Sequence, residues 1–89
     1  MERIEDVRSR TVFNTAAAAD IPPHVARRAW WVMNLLVAAA SREDVHVIGM
    51  PTCFGHDGER EGIHIHGKWY VTYEWKDHAG PCAVRLERQ

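Results

Sequence analysis

The chain has 89 residues, 46% of them apolar and 26% charged, with a formal net charge of -1 at pH 7. That length suits one domain around one small core, and the near-neutral balance excludes a dedicated, strongly basic polyanion binder, although six histidines add positive charge as the pH falls. No apolar run approaches the ~18 residues of a membrane span, and the Met1-Glu2-Arg3 start lacks the basic-then-apolar pattern of a secretory signal, so a cytoplasmic location and no membrane partner are expected. Cys53 and Cys82 stand far apart without a C-x-x-C companion, which predicts reduced thiols rather than a zinc knuckle or disulfide framework.

In chain order, Arg3 to Val7 can form a short strand with Ile4 as its clearest apolar residue. Ser9 is a candidate N-cap for a first helix running through Val12, Phe13 and the alanines 16 to 19, alanine being the best helix former. Asp20-Ile21-Pro22-Pro23 breaks the chain and suits the first turn of a second helix. From His24 to Ala40, the residues Val25, Ala29, Val32, Met33, Leu36, Val37 and Ala40 recur at three- and four-residue spacing and mark one buried stripe. Trp31 and Leu35 project from another face with the stem of Arg28. They either contact the first helix or form a partner-binding ridge.

Ser41-Arg42-Glu43-Asp44 ends or restarts helix, and the segment from Val45 through Pro51, Gly55, Gly58 and Gly62 is expected as loop. It has no G-x-x-x-x-G-K-[ST], and Asp57, Glu59 and Glu61 repel an anion, so it is not a phosphate loop. The stretch Gly62 to Trp75 organises the rest, because it reads as two strands around a turn. Ile63 and Ile65 alternate with His64 and His66; Trp69, Val71, Tyr73 and Trp75 alternate with Tyr70, Thr72 and Glu74. A two-residue turn in simple register puts the two apolar sets on opposite faces. A three-residue loop of His66, Gly67 and Lys68 instead opposes Ile65 to Trp69, His64 to Tyr70 and Ile63 to Val71. The second face then carries His64, Tyr70, Thr72 and Glu74. After a turn at 76–81, Cys82 to Leu86 is the last strand, with Val84 and Leu86 inward and Arg85 outward. The whole is α+β, two N-terminal helices packed on one face of a small antiparallel β-sheet with the other face open.

Several stretches are similar to one family. Val12-Phe13-Asn14, Ile21-Pro22, Ala29 to Met33 and the run Leu36 to Val45 resemble the N-terminal half of the HigB-type plasmid maintenance killer proteins, in the RelE/ParE toxin superfamily. Gly58 to Gly62 is similar to that family's G-D-R-x-G, and Ile63 to Trp75 to its I-R-I-N-D-Q-W-R-I-C-F-x-W. The resemblance implies a RelE/ParE-like fold and the toxin of a type II toxin-antitoxin pair, neutralised by a helix-turn-helix antitoxin, with DNA reached only through that antitoxin. It further implies an endoribonuclease that cuts messenger RNA on the ribosome, needing a base for a ribose 2′-hydroxyl, cations for the scissile phosphate and an acid for the leaving oxygen.

The chain departs from the family in its hairpin. The arginine of I-R-I falls on His64 and that of W-R-I on Tyr70, and the usual D-Y-H ending is replaced by Glu87-Arg88-Gln89. Arginine keeps its charge and grips phosphate with two donors, which histidine and tyrosine do not replace. The candidate catalytic residues are therefore His64 and Tyr70, the candidate RNA contacts Arg60, Arg85 and Arg88, and the candidate partner contacts Trp31 and Leu35. The competing reading is a catalytically inactive protein of the same fold that acts by protein binding. A third is a metal protein using His64 and His66 with His56 or Asp57; otherwise no metal or cofactor is expected.

Overall fold

In the computed structural model, which describes residues 4, 6–49, 51–54, 60–76 and 79–89, three helices precede four strands: α1 (Val7–Thr15), α2 (Pro23–Ala38), α3 (Arg42–Ile48), β1 (Thr52–Phe54), β2 (Arg60–His66), β3 (Trp69–Lys76) and β4 (Gly80–Arg88). The expected second helix forms because Pro22 caps it in extended geometry, Pro23 needs no donor at its first position, and one stripe is apolar. Val25, Ala26, Ala29, Val32, Met33 and Leu36 on that stripe are buried.

The first helix differs from expectation at both ends. It starts after Asp6, so Ser9 is not its cap: Ser9 is fully buried and its Oγ accepts the Leu86 N–H at 2.8 Å. It stops at Thr15, where Ala16 turns left-handed at φ 57°, although alanines follow. Propensity loses here to burial, since Ile21 must leave the helix axis to reach the core and the residue before each proline disfavours helix. Arg8 Nη2 donates to the Leu86 carbonyl at 3.1 Å, and Ile4 makes a parallel bridge to Val84. Together with Ser9 these contacts cover the outer edge of β4, which an unpaired strand otherwise exposes to pairing with another chain.

After α2, Ser41 to Asp44 restart a helix, one of the two expected outcomes, and it runs on through Val45 to Ile48, which were expected as loop. Ser41 and Asp44 form a capping box: the Asp44 N–H donates to Ser41 Oγ, and the Ser41 N–H to Asp44 Oδ2 at 3.2 Å. Thr52 to Phe54, expected as loop, pairs with β2 as a short edge strand.

The sheet is a four-stranded antiparallel meander in the order β1-β2-β3-β4. Ile63 faces Val71 and His64 faces Tyr70, as the parity argument requires, but the turn is Gly67-Lys68 and His66, not Ile65, stands opposite Trp69. The extra residue is taken up by a bulge at Ile65, which keeps Ile65 buried and His66 exposed. Gly67 supplies the positive φ of 58° that the turn needs. Ile63, Ile65, Val71, Tyr73, Val84 and Leu86 form the covered face, against Val12 of α1, the stripe of α2 and Val45 of α3. The α+β class and the one-sided helical layer are thus as expected, with a third helix and the edge strand β1 added. Of the strand expected from Arg3 to Val7, the described residues show only the isolated bridge at Ile4, because Val7 already opens α1.

Candidate functional site on the open sheet face

Strand register alone arranges the side chains of the uncovered face. Tyr70 on β3 lies opposite His64 on β2 and Glu87 on β4, giving one row across three strands. In the next row Thr72 lies between Gly62 and Arg85, and beyond it Glu74 faces Cys82. Since Gly62 has no side chain, Arg60 extends past it to the centre of the sheet. Its Nη2 donates to Thr72 Oγ1 at 2.9 Å and to the Ala83 carbonyl at 2.7 Å, and its Nη1 pairs with Glu74 at 3.2 Å.

Ala83 can accept this bond because β4 carries a bulge there: two residues, Ala83 and Val84, oppose Tyr73, and Ala83 takes a left-handed φ of 50°. Thr72 donates in turn to Glu87 Oε2, and Glu87 Oε1 is 3.5 Å from Arg85 Nη1. Among the described residues, Arg60, Arg85 and Lys76 therefore stand among Glu74 and Glu87, three cations to two carboxylates, and much of that charge is held by internal pairs.

The His64 and Tyr70 rings lie edge to face with centroids 5.2 Å apart. His64 Nε2 is 2.8 Å from the Gly67 carbonyl oxygen. A carbonyl only accepts, so Nε2 is the donor in this contact, and in the neutral ring Nδ1 carries the lone pair. The row thus combines a ring nitrogen able to take a proton, a phenol able to give one, and a carboxylate fixing a nearby guanidinium.

Of the residues selected from sequence, His64, Tyr70, Arg60 and Arg85 share this face. Arg88 does not, since it pairs with Trp69 and belongs to the register of the helix-covered face. Glu87 was not among the selected residues; with Leu86 and Val84 inward, simple alternation along β4 was enough to place it beside Arg85. Trp31 and Leu35 lie on the outer surface of α2, 46% and 38% exposed, with the Arg28 guanidinium 5.6 Å from the Trp31 ring centre.

The proposed histidine metal set is divided. His66 packs at right angles against His24, centroids 4.8 Å apart, while His64 turns to Gly67; His56 and Asp57 lie outside the described residues. Among the described residues no three His, Cys, Asp or Glu side chains converge as metal ligands. Cys53 and Cys82 are free thiols, and no described helix is long and apolar enough to cross a membrane.

On the covered face, Tyr73 is strongly shifted in pKa among the described residues. Tyr73 is buried, donates to Glu61 Oε1 at 2.9 Å, and has its pKa pushed far up by that burial and then by the Glu61 carboxylate. Arg42 binds the other Glu61 oxygen at 2.6 Å and lies over Trp75, so this group of residues ties α3 to the sheet.

No protein-family model, curated protein or solved structure matches the chain.

Proposed function

We propose that this chain is a HigB-like toxin of the RelE/ParE superfamily, the effector of a type II toxin-antitoxin pair, and that it cuts ribosome-bound messenger RNA on its open sheet face. The observation that carries the reading is the row His64, Tyr70 and Glu87 with Arg85 and Arg60 alongside, on a sheet whose other face is filled by helices. The resemblance of the hairpin and of the run Leu36 to Val45 to that family supports it.

In this reading His64 Nδ1 takes the proton of a ribose 2′-hydroxyl, and the freed oxygen attacks the adjacent phosphorus. Tyr70 gives its proton to the departing 5′-oxygen, leaving a 2′,3′-cyclic phosphate and a 5′-hydroxyl. Arg85, held by Glu87, and Arg60 stabilise the charge that develops on the phosphoryl oxygens. A helix-turn-helix antitoxin is the proposed partner in the resting cell, which is proposed to be cytoplasmic.

Purified ribosomes carrying a defined message test this directly. Addition of the protein is expected to give fragments with cyclic phosphate ends, whereas intact message at stoichiometric protein contradicts the proposal.

One observation favours the second reading, a protein of this fold without nuclease activity that acts by binding another protein. Arg60 is committed to Glu74, Thr72 and Ala83, and its buried Nε meets no acceptor among the described residues, so a phosphate has to displace a carboxylate to reach it.

A further inference from the structure

The outer surface of α2 carries a second pattern that neither the core nor the sheet face uses. Arg28, Trp31, Leu35 and Ala38 are all exposed, and their three-four-three spacing is that of a coiled-coil seam. Two grooves meet at Trp31. One, towards the start of the helix, is lined by His24, Arg27 and Arg28; the other, towards its end, by Leu35, Ala38, Asp44 and Val47, the last 87% exposed. The surface is therefore cationic at one end, apolar in the middle and acidic at the other. No Asp or Glu occurs within α2 itself.

We propose that this seam pairs with the same seam of a second copy of the chain, as an antiparallel two-fold dimer. A two-fold axis midway between Trp31 and Leu35 sets Trp31 against Leu35 of the second copy, and Arg28 against Ala38 of the second copy, where Asp44 stands. Both ends then match opposite charge twice over, as a two-fold interface requires of a single patch. Arg28 already lies over Trp31, directed along the seam. A single polynucleotide is a poorer occupant, because the second groove offers it no cation and one carboxylate. One seam on a 16-residue helix, widened by Val47 and Ile48, lies at the small end of specific interfaces, below ~1,200 Å². The dimer is accordingly weak and concentration-dependent. The inference does not depend on the RNA reading, which concerns the sheet face.

Sedimentation equilibrium of the full chain over a roughly hundredfold concentration range tests it, with circular dichroism confirming that each variant is folded. The wild type is expected to show a monomer-dimer equilibrium. Leu35→Glu and Arg28→Glu each weaken it by at least about tenfold, and adding Ala38→Lys to Arg28→Glu restores it by returning a cation to the opposite position. A monomer at every concentration, as a surface used by a different protein gives, overturns the proposal. So does a dimer indifferent to Leu35→Glu or Arg28→Glu, or a charge exchange that restores nothing.

Discussion

Arg60 reaches across Gly62 to donate to Thr72, 2.9 Å away on the neighbouring strand, and in doing so bonds three strands through one guanidinium. Thr72 is fully buried and Arg60's side chain only 12% exposed, so the charge is largely removed from water and depends on Glu74 and the Ala83 carbonyl for compensation. Replacing Arg60 by methionine removes the donor to Thr72 and to that carbonyl and leaves Glu74 only the longer pair with Lys76 at 3.6 Å. A loss of about 3 kcal/mol is expected, against about 1 kcal/mol or less for the more exposed Lys76. Urea denaturation of both variants measures the difference, and equal losses count against Arg60 as the organising residue of this face.

Two alanines occupy left-handed backbone, Ala16 at the end of α1 and Ala83 in the β4 bulge. An L-residue there costs roughly 1–2 kcal/mol, more than the entropy glycine brings to the unfolded chain. Ala83→Gly and Ala16→Gly are each expected to stabilise the protein by about 0.5–1 kcal/mol, raising Tm by about 4 °C. Calorimetry showing a lower Tm for Ala83→Gly contradicts left-handed strain at that position.

Tyr73 gives the stability a pH dependence of known sign. The folded protein keeps its phenol neutral, while in the unfolded chain a tyrosine ionises near pH ~10. Above that pH the unfolded state has released a proton that the folded state retains, so this contribution is complete below pH ~10 and declines above it, by about 1.4 kcal/mol per pH unit. Tyr73→Phe is expected to cost about 1 kcal/mol at pH 7 through the lost bond to Glu61, and to flatten the alkaline decline. Denaturation midpoints between pH 8 and pH 11 (roughly the range around a free tyrosine) read both effects.

The parts of the molecule that depend on one local period were legible from sequence. The stripe of α2 and the alternation around the hairpin gave the covered and open faces, and with them His64 opposite Tyr70. What escaped depended on long-range competition. The alanines after Thr15 favour helix in isolation, but the burial of Ile21 ends it. Ser9 resembles a cap, yet is drawn inside by Leu86, 77 residues away. The hairpin reached the expected pairing of Ile63 with Val71 through a bulge rather than a longer loop, since both routes preserve parity. In the site, charge pairing was the hidden quantity: nothing local to Arg60 shows that Glu74 and a bulge carbonyl will hold it.

The most direct test of the central claim, that the row of His64 and Tyr70 cuts RNA, is to map message 5′ ends in a bacterium after induced expression of the wild type and of a His64→Ala, Tyr70→Phe variant of equal stability. His64 is exposed and Tyr70 keeps its ring in the variant, so folding is expected to survive. The account predicts growth arrest with new ends inside translated regions for the wild type, and a loss of at least about 10²-fold in those ends for the variant. No new ends from the wild type, or ends that persist undiminished in the variant, contradict it.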